Sequence, residues 1–349
     1  HIDDPTYLQT IGRVEGFEQV TVPPLILTGW NDFLRDKTLY NFVEFQKRGG
    51  SEACRNGAKL IVGPWLHGDR LDRVIEGIDF GPEASGDAID MVGKLIQWFD
   101  YWTKGKTGPF MSGKPVLLFI MGENTWREES EWPLARAQYV PWYFHSDGKA
   151  NTLHGDGTLS GGLPQNEPAD TFDYDPMNPC PSSTGDTTRW MTQDQRPNEQ
   201  RDDVLVYTTP AFDKDTELTG PIWVDLYAAS SAVDTDFVAK VSLVLEDGTA
   251  RPLGMKLVRA RYRNGHDAEL LTPGEIVHYS IEAANTALLV KKGQAIRVDI
   301  TSSLFPDADR NMNTGGRVGY ESTGVIAHQT IYHDRAHPSC VKLPVIPRP

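Results

Sequence analysis

Two short apolar runs near the start of the chain limit its possible folds more than any other feature. Leu25–Thr28 and Lys59–Val62 are bounded by Gly and Pro, and Arg35–Arg48 between them has apolar residues at helical spacing. Short apolar runs bounded by turn residues are typical of buried parallel strands. The pattern therefore predicts a strand–helix–strand unit. Because such crossovers are nearly always right-handed, both strands should end at the same edge of the sheet.

An ionisable residue follows each of these predicted strands. Asp32 comes after the first run and His67 after the second. Ligands and chemistry in parallel sheets collect at the carboxyl ends of the strands. An acid that fixes the tautomer of a histidine base would supply two of the three parts of a nucleophilic triad. Loops after strands also hold many ordinary Asp and His residues, so position alone leaves both interpretations open.

The rest of the chain changes character along its length. Asp87–Lys104 has a broad apolar stripe at helical spacing, which we interpret as core packing, and Pro115–Met121 is predicted to be a third buried strand. After Pro141, short β-rich runs alternate with Gly, Pro, Asp and Asn, which predicts an antiparallel sandwich or jelly roll. The clearest of these runs are Val204–Thr208, Ile222–Ala228, Phe237–Glu246, Glu275–Ile281 and Ala295–Thr301. The predicted fold class is an α/β part followed by an all-β part.

Composition excludes several classes of partner and cofactor. The 349 residues include 34 basic and 48 acidic side chains, and the net charge of −14 argues against nucleic acids and anionic membranes as partners. No apolar run approaches the roughly 18 residues of a membrane span. The three cysteines match no metal-ligand spacing, and the turn Asp307–Asn311 lacks the glycine and glutamate of a calcium loop. Neither a metal nor another cofactor is predicted.

Several sequence motifs of this chain match those of one known family. The turns Gly29–Phe33 (Gly-Trp-Asn-Asp-Phe) and Gly63–His67 (Gly-Pro-Trp-Leu-His) are joined by matching segments at Gly122–Arg127, Ser230–Phe237 and Phe305–Gly315. In these motifs the chain resembles the cocaine esterase-like hydrolases, the CocE/NonD family, which is related to the X-Pro dipeptidyl-peptidases. The resemblance runs over nearly the whole chain, and agreement of so many motifs argues against coincidence.

The resemblance implies a fold, an activity and two site residues. Residues 1–137 would be the C-terminal part of an α/β-hydrolase domain, and residues 138–349 a jelly-roll β-sandwich. Asp32 and His67 would be the acid and the histidine of a Ser-Asp-His triad. The substrate would be a small-molecule acyl ester or amide, and no cofactor is implied. A homo-oligomer is possible, and the sequence leaves that question open.

The triad implied by the resemblance needs a serine that the sequence does not offer. No serine stands in a Gly-x-Ser-x-Gly pattern, and Ser51 and Ser322 come nearest without matching it. In α/β-hydrolases the serine precedes the acid along the chain. A serine that works with Asp32 is therefore expected upstream of His1, together with the oxyanion hole and the cap domain. We accordingly expect no esterase turnover from the isolated chain.

Three residues are candidates for substrate contact by the same resemblance. Leu34 and Arg35 stand where the related α-amino-acid ester hydrolases have acidic residues that hold a substrate ammonium group. An apolar side chain and a cation cannot neutralise an ammonium, so a free-amine acyl group is disfavoured. Leu34 suits an apolar acyl group, whereas Arg35 would either pair with a substrate carboxylate or be a solvated arginine at the start of a helix. Trp190 lies in the loop that in the family reaches over the acyl pocket.

A second class of function also fits the residues. The jelly roll could be a non-catalytic module that binds carbohydrate or a protein partner, with a vestigial hydrolase segment in front of it. A lectin-like face would carry a row of exposed aromatic rings on one sheet. Trp142 and Tyr143 could begin such a row, but Trp190 and Trp223 are too scattered along the sequence to complete it. The Asp32 and His67 turns favour the enzyme.

Overall fold

The polypeptide forms two units. The computed structural model describes residues 16–68, 71–185, 191–265 and 267–348. The first unit extends to Ile120 and includes Asn124–Ala135, and the second contains Met121–Glu123 and the chain from Arg136 onward. Within the described ranges, no helix is both long enough and apolar enough to cross a bilayer.

The first unit is a four-stranded mixed sheet with helices. Its strands are β1 (Leu25–Gly29), β2 (Lys59–Gly63), β3 (Val74–Ile75), β4 (Ile78–Asp79), β5 (Val116–Ile120) and β6 (Thr125–Glu129), and its helices are α1 (Arg35–Arg48), α2 (Glu52–Gly57), α3 (Met91–Lys104) and α4 (Pro109–Ser112). The sheet order is β1-β2-β5-β6, with the first three strands parallel and β6 antiparallel, while β3 and β4 form a separate ribbon. The predicted strand–helix–strand unit is confirmed as β1–α1–β2.

Burial of apolar side chains holds this unit together. Leu60, Ile61 and Val62 on the central strand β2 are almost fully buried, and Leu39 and Phe42 on α1 are equally shielded. Each such side chain contributes about 1.5–3 kcal/mol relative to an exposed one. Lys37 and Lys47 of α1 are exposed, so the amphipathic spacing of the apolar residues in the sequence is the packing that forms. The central strand and α1 therefore provide a rigid base for the loops that follow β1 and β2.

Helix α3 corrects one prediction. The apolar stripe of this helix predicts core packing, but Val92, Ile96 and Phe99 are 57–65% exposed, and only Met91 and Trp98 are buried. The helix also begins at Met91, where the Asp90 side chain caps it by accepting from the N–H of Gly93. Helical spacing shows that a face is apolar, but it does not identify the element that covers that face. Within the described residues, the apolar face of α3 is open to solvent.

The second unit is an almost entirely antiparallel eleven-stranded sheet. Its strands are β7 (Gln138–His145), β8 (Thr158–Ser160), β9 (Asp170–Tyr174), β10 (Leu205–Thr208), β11 (Thr216–Ser230), β12 (Asp236–Val244), β13 (Ala250–Arg259), β14 (Val277–Val290), β15 (Ala295–Thr301), β16 (Ala327–Tyr332) and β17 (Cys340–Ile346). The order is β13-β12-β15-β10-β8-β7-β17-β11-β16-β9, and β14 also pairs with β11. Every residue of β12 and β15 is buried. The predicted β-rich character of this half is confirmed.

Packing of β13 against β14 folds this large sheet over its own core. The two strands are not hydrogen-bonded neighbours, yet a Cβ placed on Gly254 of β13 would lie 2.5 Å from the carbonyl oxygen of Ala283 on β14. Only glycine permits so close an approach of two backbones. The edge strand β13 therefore lies directly against β14, and the long sheet curls back on itself.

Two strands of this unit are longer than the sequence indicated. The run Ile222–Ala228 lies inside the 15-residue β11, and Glu275–Ile281 overlaps the 14-residue β14. The residues Gly220 and Pro221 read as a strand end, but the ladder continues through them and shifts register at a bulge between Ile222 and Trp223. Pairing with β14 therefore overrides the local tendency of Gly220 and Pro221 to end a strand.

Candidate active site

The loops that follow β1 and β2 are hydrogen-bonded to each other. The backbone N–H of Trp30 donates to the carbonyl oxygen of Gly63 at 2.8 Å, and the N–H of Asn31 donates to that of Trp65 at 3.1 Å. The side-chain amide of Asn31 then donates to the carbonyl oxygen of Pro64 at 2.5 Å. These bonds extend the parallel ladder beyond the ends of the strands, so the two loops are held as one piece.

Glycines make this close approach possible. A Cβ on Gly29 would lie 1.9 Å from the carbonyl oxygen of Trp65, and a Cβ on Gly63 would lie 2.5 Å from the indole ring of the same residue. Neither position has room for a larger residue. The glycines of the Gly-Trp and Gly-Pro-Trp motifs in the two turns are thus required for steric reasons.

Two tryptophans anchor the loops from below. The indole N–H of Trp30 donates to the carbonyl oxygen of Phe119 at 2.7 Å, and that of Trp65 donates to the carbonyl oxygen of Ala84 at 2.9 Å. Both side chains are about 1% exposed, so each brings a large apolar surface and a satisfied polar atom into the core. In the sequence, Trp30 and Trp65 were recognised only as members of the two family motifs, and their structural role was not predicted.

Asp32 and His67 meet at the carboxyl ends of β1 and β2. The Nδ1 atom of His67 lies 3.2 Å from Oδ1 and 3.3 Å from Oδ2 of Asp32. Asp32 Oδ1 also accepts the backbone N–H of Leu34 at 2.8 Å, and Oδ2 lies 3.4 Å from the hydroxyl of Thr28. The carboxylate is therefore fixed from several sides, and it holds the proton of a neutral imidazole on Nδ1. That tautomer leaves Nε2 available to accept a proton.

The two members of the pair differ in exposure. The Asp32 side chain is 11% exposed, whereas that of His67 is 50% exposed. The ring of Phe33 lies against the imidazole, with centroids 4.7 Å apart and planes at 53°. Phe33 restricts the histidine from one side, a contact that sequence reasoning did not identify. No serine hydroxyl in the described part of the chain hydrogen-bonds to His67.

The three candidate substrate-contact residues differ in their position in the structure. Leu34 is on the same turn as Asp32 and its side chain is exposed. Arg35 is buried, and its guanidinium donates to the carbonyl oxygen of Trp30 at 2.6 Å and to the carboxylate of Asp36 at 2.8 Å. The solvated alternative for Arg35 is therefore wrong, and this geometry gives no support to a role in binding a substrate carboxylate. Trp190 lies outside the described residues.

Across the described residues, no group of three or more His, Cys, Asp and Glu side chains is arranged to hold a metal ion. The three cysteines are buried free thiols, and burial raises the pKa of both Cys180 and Cys340 to about 11. What the pair of Asp32 and His67 can do is move a proton at His67 Nε2 and stabilise the resulting imidazolium.

The chain matches one known family and is similar in sequence to a known protein. Residues 109–342 match the family described as the X-Pro dipeptidyl-peptidase C-terminal non-catalytic domain. The chain is 36% identical over 356 aligned residues to the cocaine esterase of Rhodococcus sp. (strain MB1 Bresler), an alignment that covers all of this chain and 60% of that protein.

Solved structures give the same picture. An aminopeptidase from a marine sediment Thaumarchaeota archaeon is 25% identical with a TM-score of 0.79, covering 94% of this chain and 56% of the other. An α-amino acid ester hydrolase is 22% identical with a TM-score of 0.79, covering 99% of this chain and 61% of the other, and at that identity the likeness shows the fold alone. The chain spans about three fifths of the length of these relatives.

Proposed function

The chain belongs to the CocE/NonD family of hydrolases and carries the X-Pro dipeptidyl-peptidase C-terminal domain, and on that basis we propose that it is part of a serine hydrolase of acyl esters or amides. The observation that carries the proposal is the pairing of His67 Nδ1 with the Asp32 carboxylate at the ends of two parallel strands. In this proposal His67 is the general base and acid, and Asp32 orients it. The serine belongs to a part of the full-length protein outside residues 1–349.

The proposed reaction has two halves. The serine oxygen attacks the acyl carbon while His67 Nε2 takes the hydroxyl proton, and Asp32 stabilises the imidazolium that forms. The imidazolium then gives its proton to the leaving alcohol or amine as the acyl–oxygen or acyl–nitrogen bond breaks. Water attacks the acyl-enzyme with His67 again as base, and the carboxylic acid and free serine result.

We also propose that the first unit is the C-terminal part of an α/β-hydrolase domain, residues 1–137, and that residues 138–349 form a jelly roll. Within the described residues, β1 pairs only with β2, so its other edge is open to a further parallel strand. The exposed apolar face of α3 supports the same proposal, because a single-domain protein rarely leaves such a face uncovered. A preceding hydrolase segment would cover both.

The proposed acyl group is apolar. Phe33 and Leu34 expose apolar side chains beside the Asp32–His67 pair, at 54% and 45%. The guanidinium of Arg35, which would be needed to bind an acidic acyl group, is turned inward to Trp30 and Asp36. The similar proteins include an esterase and an aminopeptidase by name, so the leaving group is either an alcohol or an amine.

Substitution of the pair in the full-length protein tests this function. Asp32→Asn should lower kcat for an aryl ester by on the order of 10³–10⁴-fold, because the amide favours the wrong imidazole tautomer. His67→Ala should lower kcat at least as much, because base catalysis is lost. Steady-state kinetics and thermal unfolding, measured on the same samples, would separate lost catalysis from lost folding.

Matched controls are available in the chain. Asp87→Asn and His154→Ala alter exposed residues of the same types, and both should keep kcat within about twofold of the parent. A loss below about tenfold for Asp32→Asn would contradict the assignment. A fluorophosphonate probe mapped by mass spectrometry should modify a serine outside residues 1–349, and it should fail to do so after His67→Ala.

The alternative function is a non-catalytic binding module, which the description of the matched domain as non-catalytic favours for the second unit. The ladder register bears on it. Trp223 pairs across β17 with Lys342, whose other neighbour is Pro141, whereas Trp142 is opposite Val341. Successive residues of a strand face opposite sides of the sheet. Trp142 and Trp223 are therefore on opposite faces, which argues against an aromatic row shared by both.

A further inference from the structure

A second group of hydrogen-bonded catalytic side-chain types lies in the β-rich unit, away from the residues discussed so far. β7 and β8 are antiparallel neighbours in which Tyr143 is opposite Ser160 and His145 is opposite Thr158. Ser160 is thus diagonal to His145 and on the same face of the sheet. Diagonal neighbours are within reach when one side chain is long. The hairpin register therefore brings a hydroxyl and an imidazole together.

The two side chains are in hydrogen-bond contact. The Oγ atom of Ser160 lies 2.9 Å from Nε2 of His145, and Nδ1 of the same imidazole lies 2.8 Å from Oε1 of Glu167. When the imidazole is neutral and the carboxylate holds its proton on Nδ1, Nε2 can accept the proton of the Ser160 hydroxyl. A nucleophile next to a base that a third group orients is the general signature of nucleophilic catalysis.

A buried network supports Glu167 from behind. Oε2 of Glu167 lies 3.4 Å from Nδ1 of the fully buried His333, whose Nε2 lies 2.9 Å from Oδ2 of Asp170. Asp170 in turn accepts from the hydroxyls of Ser146 and Tyr207, both at 2.7 Å. Burial lowers the pKa of His333, but the bond to Asp170 and the charges of Asp170 and Glu167 outweigh it and raise the pKa overall.

Ser160 is also approachable from solvent. The residues Gly161 and Gly162 that follow it are exposed, and a Cβ placed on Gly161 would meet no heavy atom within 4 Å. The backbone N–H of Gly162 donates to Ser160 Oγ at 3.2 Å and so fixes the hydroxyl oxygen. The carbonyl oxygen of Gly162 lies 3.0 Å from His145 Nε2. Because a carbonyl oxygen can only accept, this hydrogen bond forms when Nε2 carries a proton and is broken when Nε2 acts as the base.

We propose that Ser160 is a nucleophile activated by His145 and Glu167, and that it accepts acyl or phosphonyl groups from small activated esters. The site goes beyond the function proposed above, because it uses neither Asp32 nor His67. It is in the segment that matches a domain described as non-catalytic. The N–H of Gly162 donates to Ser160 Oγ and therefore does not serve as an oxyanion-hole donor to the substrate carbonyl oxygen. Activation of Ser160 therefore comes from the base. Esters with good leaving groups are therefore the class that reacts.

The acylation step balances within the site and its substrate. Ser160 Oγ forms a bond to the acyl carbon while its proton passes to His145 Nε2. The bond from the acyl carbon to the leaving aryl oxygen breaks, and the aryl oxide takes the proton from His145. The products are an ester on Ser160 and a free phenol. With a fluorophosphonate, Oγ bonds to phosphorus and fluoride leaves with the proton.

The test uses a fluorophosphonate probe on the 349-residue chain alone. One probe per chain should be incorporated, and peptide mapping by mass spectrometry should locate it on Ser160. Ser160→Ala should abolish labelling, and His145→Gln should lower its rate constant by at least tenfold because the base is lost. Ser85→Ala, which removes a hydroxyl in the other unit that contacts the carbonyl oxygen of Pro82, should label at the parent rate.

The outcomes separate this proposal from the function proposed above. An unlabelled chain with a normal thermal unfolding transition would overturn the role of Ser160, and so would a label on another residue. A label on Ser160 that His145→Gln leaves unchanged would overturn the role of the imidazole. None of these results depends on the full-length protein, in which Asp32 and His67 are tested with a different serine.

Discussion

At the residue scale, glycine decides whether the Asp32–His67 pair can form. The turn after β1 approaches the turn after β2 so closely that the backbone at Gly29 touches the backbone at Trp65. The approach allows the two hydrogen bonds between the turns, and these bring the carboxylate to the imidazole. A steric requirement at two positions that carry no side chain thus positions the two chemical groups.

Gly29→Ala should therefore lower the free energy of unfolding by about 1–3 kcal/mol, because a methyl group 1.9 Å from a carbonyl oxygen forces the backbone to shift. Urea unfolding would measure the change. Gly185→Ala is the matched control, since its Cβ would meet nothing closer than a side-chain atom at 3.4 Å. A Gly29→Ala protein within about 0.5 kcal/mol of the parent would show that the turns relax freely.

At the scale of elements, α3 shows how one helix can be both anchored and open. Trp98 is 5% exposed and lies 5.8 Å from Trp102, ring centroid to ring centroid, while Ile96 two positions earlier is 57% exposed. The helix is capped at both ends, by Asp90 and by Gly105 in a left-handed conformation. Its inner side and its caps are therefore enough to form it, with the outer apolar face uncovered in the described part of the chain.

Two substitutions on α3 should thus differ strongly in this chain. Trp98→Ala should cost about 3–5 kcal/mol, because it leaves a large cavity. Ile96→Ser should change stability by less than about 0.5 kcal/mol, because the side chain already contacts water. Urea unfolding of both variants would check this, and equal losses would mean that the outer face is covered in solution. In the full-length protein, where we propose that a preceding segment covers this face, Ile96→Ser should lower the free energy of unfolding more than it does in this chain.

At the scale of the whole molecule, the β-rich unit has charged groups in its core. Glu199 and Asp299 are buried with Lys240 and Arg297, and Asp299 is opposite Lys240 in the pairing of β15 with β12. Arg297 donates to Oε2 of Glu199, while Lys240 donates to the side chain of Gln195. Burial and the charge of Asp299 raise the pKa of Glu199 to about 8, against the opposing effect of Arg297. Burial likewise raises the pKa of Asp299 to about 6.

The sign of the resulting pH dependence follows from linkage. A carboxyl whose pKa is higher in the folded state binds more protons there than in the unfolded chain, so its contribution to stability falls as pH rises from about 5 to 8. Glu199→Gln removes that titration and should flatten the slope of unfolding free energy against pH. Urea unfolding between pH 5 and 8 measures both slopes, with the exposed Glu246→Gln as control. An unchanged slope in Glu199→Gln would contradict the prediction.

The amino-acid sequence by itself determined the local elements and the two turns of the candidate site. The helix Arg35–Arg48, the strand Ala295–Thr301 and the placement of Asp32 and His67 after consecutive strands follow from periodicity and turn residues, which are properties of neighbours in the chain. The strand bounds of β11 and β14 escaped prediction, because the ladder between them continues through Gly220 and Pro221.

Only the tertiary structure decided what each side chain faces. The sequence could not tell that Arg35 is turned inward, that the apolar face of α3 is open, or that Phe33 packs on His67. The pairing of Ser160 with His145 and Glu167 depends on a hairpin register and on a loop seven residues beyond β8, and no local motif marks it. The physical reason is the same in each case, because contact between distant residues depends on packing and register, and a local pattern contains neither.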